Sequence, residues 1–191
     1  VVIWSIANET PHSDARKEFL AKLAQLAREK DNSRLISMAM EVTGESATLS
    51  KVNDPMNEYV DIVRFNQYLG WYGGNLESPK TRNFEIPYNK PVFISEFGAG
   101  ALQGMHGDKT ERFTEEYQEE LYKHTLEMLD RIDGFAGTSP WILVDFHSPR
   151  RQLAGVQDFF NRKGLISDDG IKKKAYWTLK NFYENKKEQY K

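Results

Sequence analysis

The sequence predicts an α/β fold, a (β/α)8 TIM barrel to which this chain contributes roughly the last five βα units. Three observations carry that expectation. Short apolar runs alternate with segments of helical periodicity, the pattern of βα units on a parallel sheet. Five such strands fit into 191 residues, whereas a complete barrel takes about 250. Two of the runs, VVIWSIANE ending at Glu9 and PVFISEFG carrying Glu96, deliver a glutamate where a buried strand stops. The C-terminal ends of barrel strands are where such folds do their chemistry. An open doubly wound sheet is the competing architecture.

Each element has its own local reason. Residues 1–7 form an apolar run that suits a strand buried on both faces. Residues 14–30 read as a helix with Phe19, Leu23, Leu26 and Ala27 on one face. Strands follow at 34–40 (RLISMAM), 60–66 (VDIVRFN) and 91–95. The clearest helix spans 113–132, with Tyr117, Leu121, Met128 and Ile132 on one side. Thr114 is its cap, and Glu115 and Glu116 lie in the first turn, where the helix dipole favours acids. A fifth strand lies within 134–145. A last helix covers 173–183 with Ala175, Leu179 and Phe182 inward. Residues 41–57 and 73–90 read as long polar loops, on the surface or over a site.

Composition removes several function classes. A net charge of −2 gives no nucleic-acid footprint. No apolar stretch of the length a membrane span requires is present. Cysteine is absent, which excludes disulfides, thiol chemistry and cysteine-bound metal, and leaves the compartment unassigned. His12, His106, His124 and His147 are scattered without metal-ligand spacing, so no metal and no cofactor are assigned. His106 reads as a solvated loop residue, and the run Lys172-Lys173-Lys174 as a solvated helix face. Aromatics make up 13% of the chain. Their faces stack on sugar rings, and they also fill ordinary cores.

Two glutamates at strand ends suggest a carboxylate pair, and a carboxylate pair suggests glycoside hydrolysis. Asn8, beside Glu9, supplies an amide for the hydroxyl next to the reacting carbon. Spacing alone equally allows Glu9 to cap the next helix or to pair with a rim arginine. The segments themselves go further. VVIWSIANE resembles the acid/base segment of glycoside hydrolase family 2, and ISEFGAGAL resembles its nucleophile segment. The resemblance implies that Glu9 is the acid/base, after barrel strand four, and Glu96 the nucleophile, after strand seven.

Further motifs resemble the β-glucuronidase branch of that family. Asn66-Gln67-Tyr68-Leu69-Gly70-Trp71-Tyr72 is similar to an Asn-Arg-Tyr-Tyr-Gly-Trp-Tyr stretch, which implies that Asn66, Tyr68 and Tyr72 line a sugar pocket. Trp141 resembles the tryptophan that floors it. Asn161-Arg162-Lys163-Gly164 resembles an Asn-x-Lys-Gly element in which Asn161 and Lys163 would hold a uronic acid carboxylate. Lysine is a flexible point charge with three donors, and asparagine adds an amide donor. Taken alone, those four residues are equally at home in a surface turn. The segment WILVDFHSPRRQLAGVQDFF departs from the pattern and adds the cations Arg150 and Arg151. That departure keeps β-galactosidase and β-galacturonidase readings open beside a β-glucuronidase one.

The resemblance implies that residues 1–191 are the C-terminal part of a family 2 barrel whose N-terminal part is absent from the chain. It implies a retaining exo-β-glycosidase acting on terminal β-D-glucuronides through two glutamates. The implied partners are a carbohydrate substrate, including uronic acid-containing oligosaccharides, and either a second copy or the missing N-terminal half. No nucleic acid and no membrane partner are expected. The alternative from another class is a non-catalytic carbohydrate-binding or scaffold fragment.

Overall fold

In the computed structural model, which describes residues 1–189, the elements run in the order β1 (Ile3–Asn8), α1 (Asp14–Lys30), β2 (Leu35–Met40), β3 (Thr43–Gly44), β4 (Leu49–Lys51), β5 (Ile62–Asn66), α2 (Ser78–Thr81), β6 (Asn83–Glu85), β7 (Val92–Glu96), α3 (Glu115–Asp130), β8 (Phe135–Thr138), β9 (Phe146–His147), β10 (Phe160–Asn161) and α4 (Lys174–Gln189). They sort into two compact units. The first holds Val1–Gln67, Thr81–Glu96 and Leu129–Ser139. The second holds Tyr68–Lys80, Phe97–Met128 and the described residues from Pro140 onward.

The first unit is built on a five-stranded sheet in the order β1-β2-β5-β7-β8, parallel at every pairing. Strand order follows chain order without the reversal that marks a doubly wound sheet. This is the winding of a barrel segment, and it sets the C-terminal ends of all five strands on one edge. Ile36, Met38, Met40, Val63, Phe65 and Ile94 are wholly buried. The runs at β2, β5 and β7 are therefore core, whereas β1, expected to be buried on both faces, is the edge strand next to β2 and stays largely exposed, with Val1 75%, Val2 83% and Trp4 38% exposed. The fifth strand stops at Thr138, well short of residue 145. Ser139 makes the last bond to Ile94 O at 2.9 Å, and Pro140 then has no N–H to continue the ladder.

Two expectations in this unit fail for physical reasons. On α1 the buried residues are Arg16, Leu20 and Ala24, whereas Phe19 is 64% and Leu26 47% exposed. A buried ion pair lies on the face that α1 turns inward. Arg16 donates from Nη1 and Nη2 to the two carboxylate oxygens of Asp54, at 3.0 and 2.6 Å. The 41–57 segment is not a plain loop. It carries β3, β4 and a 3-10 turn at Pro55–Glu58, and β6 from the 73–90 segment joins it in a second sheet of order β3-β4-β6. Strands of two or three residues are too short to show a period, and their polar side chains resemble those of loops.

The second unit packs Trp71, Leu76, Ala99, Tyr117 and Leu121 into one cluster, with Tyr68 and Phe113 against it. Thr114 caps α3 as expected, its Oγ1 accepting from Tyr117 N at 3.0 Å. Tyr117, Leu121 and Met128 are buried along that helix, as are Ala175 and Leu179 on α4.

The lysine run before α4 is the largest departure. Lys173 is not solvated at all. Its side chain is fully buried, and Nζ donates to both oxygens of the equally buried Asp145 at 2.9 Å. It also reaches Ala101 O at 2.6 Å and Arg162 O at 3.2 Å. Asp145 Oδ1 in turn accepts from Gly164 N at 2.7 Å. Gly164 has no room for a side chain, because a Cβ there would collide with Asp145 N and Oδ1. Replacing Lys173 by Met strands a buried carboxylate and is expected to lower stability by about 3–5 kcal/mol. The exposed Lys172→Met should cost about 1 kcal/mol or less, and a Lys173→Met/Asp145→Leu pair should recover part of the single loss. Urea unfolding of the three variants measures all of these.

Candidate active site

The first unit gathers its candidates at the C-terminal edge of the parallel sheet. Glu9 immediately follows β1. Its N–H donates to Ala39 O at 2.9 Å, and its φ of 48° lies in the left-handed region that a non-glycine residue rarely adopts. Register shifts occur between Ser5 and Asn8 on β1 and between Phe65 and Asn66 on β5, and such irregularities re-aim side chains. Asn66 is registered with Glu96.

A chain of hydrogen bonds runs along this edge. Asn66 Nδ2 donates to Asn8 Oδ1 at 3.0 Å, and Ser95 Oγ donates to Asn66 Oδ1 at 2.6 Å. Ser139 Oγ donates to Ser95 O at 2.8 Å, and Gln67 N donates to Glu96 O at 2.8 Å. Asn66 is buried and both ends of its amide are engaged, so it acts as a bracket between Asn8 and Ser95. The bond fixes the orientation of Asn8, whose oxygen accepts and whose NH2 is turned away from Asn66 as a donor.

The second unit holds the other candidates. Tyr68 to Gly73 fold into a tight turn in which Trp71 N and Tyr72 N both donate to Tyr68 O, at 3.0 and 3.1 Å. Gly70 makes the turn possible with φ of 82°, and a Cβ there would strike Leu121. The turn sends Trp71 into the core and leaves Tyr72 61% exposed. Arg112 lies over the Trp71 ring at 4.2 Å. Tyr68 and Tyr72 pack at 5.0 Å between ring centres.

Lys163 and Arg151 both converge on the Tyr72 hydroxyl. Lys163 Nζ donates to Tyr72 Oη at 2.8 Å and Arg151 Nη2 donates to it at 3.1 Å. A hydroxyl has two acceptor positions and one O–H. Both acceptor positions are filled here, so the O–H remains as a donor. Asn161 Oδ1 accepts from Lys163 N at 3.2 Å, and its amide nitrogen has no partner among the described residues. Burial pulls the Lys163 ammonium below its ordinary value, against the hydrogen bond that it donates to Tyr72. Loss of water would raise the Tyr72 hydroxyl, but the hydrogen bonds and charges of Lys163 and Arg151 outweigh it and bring the hydroxyl below the usual phenol value. Trp141 is half-buried, stands edge-on to Phe146 at 6.2 Å and donates from N to Phe97 O at 2.9 Å. Ile142 N, next along, bonds Lys163 O at 3.2 Å.

Sequence reasoning therefore named the residues of two arrays. One is Asn8, Glu9, Asn66 and Glu96 along a sheet edge. The other is Tyr68, Tyr72, Asn161 and Lys163, with Trp141 tied to it through Ile142. It missed Ser95 and the use of Arg151. A lone serine in an apolar strand directly before a glutamate was the available signal for the first. His106 pairs with Glu116 at 3.0 Å and is largely exposed, as expected. A surface groove along α1, lined among others by Lys17, Ala21, Arg28 and Tyr59, contains none of these residues.

Comparison with known proteins gives a consistent picture. The family profile described as glycosyl hydrolases family 2, TIM barrel domain, matches residues 1–187. The chain is 32% identical over 176 residues to a beta-glucuronidase of Paenibacillus borealis, covering 87% of this chain and 28% of that protein. It is 29% identical over 196 residues to the beta-glucuronidase of Homo sapiens, covering 95% of this chain and 29% of that one. It thus spans less than a third of the length of these relatives. The solved beta-D-glucuronidase of Dictyoglomus thermophilum superposes with a TM-score of 0.73 at 27% identity, over 95% of this chain and 32% of that one. A GH2 beta-galacturonidase from Eisenbergiella tayi shares the fold, with a TM-score of 0.75 at 24% identity, over 96% of this chain and 33% of that one.

The double donation to Tyr72 has a spectroscopic consequence. Cations favour the phenolate, so Tyr72 should ionise at lower pH than the buried Tyr117, whose hydroxyl burial pushes above the usual phenol value. In a titration followed by tyrosinate absorbance, the early component should vanish in Tyr72→Phe. It should move to higher pH in Arg151→Gln.

Proposed function

Because the chain belongs to the glycosyl hydrolases of family 2, TIM barrel domain, we propose that it is the C-terminal portion of the catalytic barrel of a retaining exo-β-glycosidase acting on β-D-glucuronides. Glu96 is the nucleophile. Its carboxylate bonds to the anomeric carbon as the bond to the leaving oxygen breaks, and that oxygen takes the proton of Glu9. A water molecule then gives a proton to Glu9 and its oxygen to the anomeric carbon, and the Glu96 carboxylate is released. Retention of configuration asks for carboxyl groups about 5–5.5 Å apart in the assembled site.

One observation carries the reading. Both glutamates lie at the same edge of one parallel sheet, and the Asn8–Asn66–Ser95 chain braces the strands that bear them. The choice of a uronic acid is supported by the second array. Lys163, Arg151, the Tyr72 O–H and the Asn161 amide nitrogen are all donors, and two are cations. A sugar carboxylate can satisfy such a set, whereas a neutral hydroxymethyl group leaves much of it unpaired. In this reading the first three barrel units come from the rest of the polypeptide or from a partner. That follows the coverage of 28% and 29% in the relatives.

Two measurements test it in the full-length protein. Glu96→Ala should abolish turnover of a nitrophenyl β-glucuronide, and azide should partly restore it with a product of inverted configuration. Substantial activity in Glu96→Ala without added anion rejects the nucleophile assignment. Lys163→Ala should lower kcat/KM on the β-glucuronide about 10–100-fold and leave a β-galactoside nearly untouched. Equal losses on both substrates reject the carboxylate clamp. Including a nitrophenyl β-galacturonide reads the C4 preference directly.

A further inference from the structure

Among the five strands of the parallel sheet, the charged residues are Arg64 on β5 and Glu96 on β7. A cation within an apolar parallel sheet is costly unless an anion answers it. Arg64 is registered with Ala39 on one side and Phe93 on the other, two residues before the Asn66 that is registered with Glu96. Its guanidinium has five N–H donors, yet they are barely used. Nη1 reaches Ser37 Oγ only at 3.4 Å, and the group lies 5.9 Å from the centre of the Phe93 ring. Its Nε is buried with no hydrogen-bond partner among the described residues. The contrast with Arg16 is instructive, since that fork grips both oxygens of Asp54. Arg16 is a staple, and Arg64 is not.

We propose that Arg64 is a positioning residue for Glu96, a fixed counter-charge set one step deeper in the sheet than the nucleophile. The proposal rests on the reading of Glu96 as nucleophile. Burial pulls the Arg64 guanidinium below its ordinary value, and the negative charge of Glu96 works against that shift. Glu9 follows β1 and Glu41 follows β2 at this edge, and His12 lies 3.8 Å from Glu41 and 3.3 Å from Asp54, which is paired with Arg16. β2 and β8 carry none. A cation in this place favours the ionised carboxylate before attack. It favours it again when the glycosyl–enzyme bond breaks and the carboxylate leaves.

The test is the pH dependence of covalent labelling of Glu96 by a 2-deoxy-2-fluoro-glucuronosyl fluoride, read by peptide mass, in the full-length protein and in Arg64→Met and Arg64→Lys. Labelling needs the ionised carboxylate, so its rate should fall through an acidic limb. Arg64→Met removes the cation and should move that limb to higher pH by about one unit, a roughly tenfold loss of rate below it. Arg64→Lys should hold the limb near its original place. Should Arg64→Met not fold, Arg64→Gln against Arg64→Lys carries the same comparison. A folded neutral variant whose limb stays put, or one indistinguishable from Arg64→Lys, overturns this proposal alone. Absence of label on Glu96 in the unsubstituted protein overturns the nucleophile reading and this proposal together.

Discussion

Inside the second unit, Lys173 and Asp145 are both shut off from water and neutralise each other. Burial pushes the Asp145 carboxyl up and the Lys173 ammonium down, and each is countered by the charge of the other. Four stretches of chain converge on this pair. The segment after β7 offers Ala101 O, the turn after β10 offers Arg162 O and Gly164 N, the segment after β8 carries Asp145, and the start of α4 supplies the lysine. The Asn161–Gly164 turn is held in this grip, and the direction of the Lys163 side chain follows from it. The ion pair is thus the foundation of the donor array around Tyr72, although neither of its members belongs to that array.

The first unit solves the same problem with neutral groups. Asn8, Asn66 and Ser95 come from three strands, and an uncharged amide joins them. No charge is buried in making that brace. The sheet holds its charge to one arginine and one glutamate, and the surrounding strands are apolar or small.

The main strands and helices could be read from local pattern because a buried strand and a periodic helix each announce themselves within a dozen residues. The helix expected at 14–30 has the bounds that α1 has, and the four sheet strands expected from 1, 34, 60 and 91 each begin one or two residues later. What could not be read depends on distant partners. The inward face of α1 carries Arg16, whose partner Asp54 lies 38 residues away in sequence and so leaves no trace in the local apolar pattern. Lys173 looked solvated because its partner lies 28 residues earlier. The three-stranded β3-β4-β6 sheet escaped notice because its strands are shorter than any period. Glu9 and Glu96 could be singled out as candidates from their place at strand ends and from the segments they resemble. The bracket through Asn66 and the use of Arg151 could not, since they are made by bonds across 58, 29 and 79 residues.

Glu115 opens α3 and spends its carboxylate on two backbone amides, Gly104 N at 2.8 Å and Lys174 N at 2.9 Å. One side chain thereby clasps the loop after β7 and the first turn of α4. Neither can loosen without the clasp opening, so amide protons in both should exchange with solvent together, as one cooperative unfolding unit. Opening of the loop after β7 is then coupled to the docking of α4.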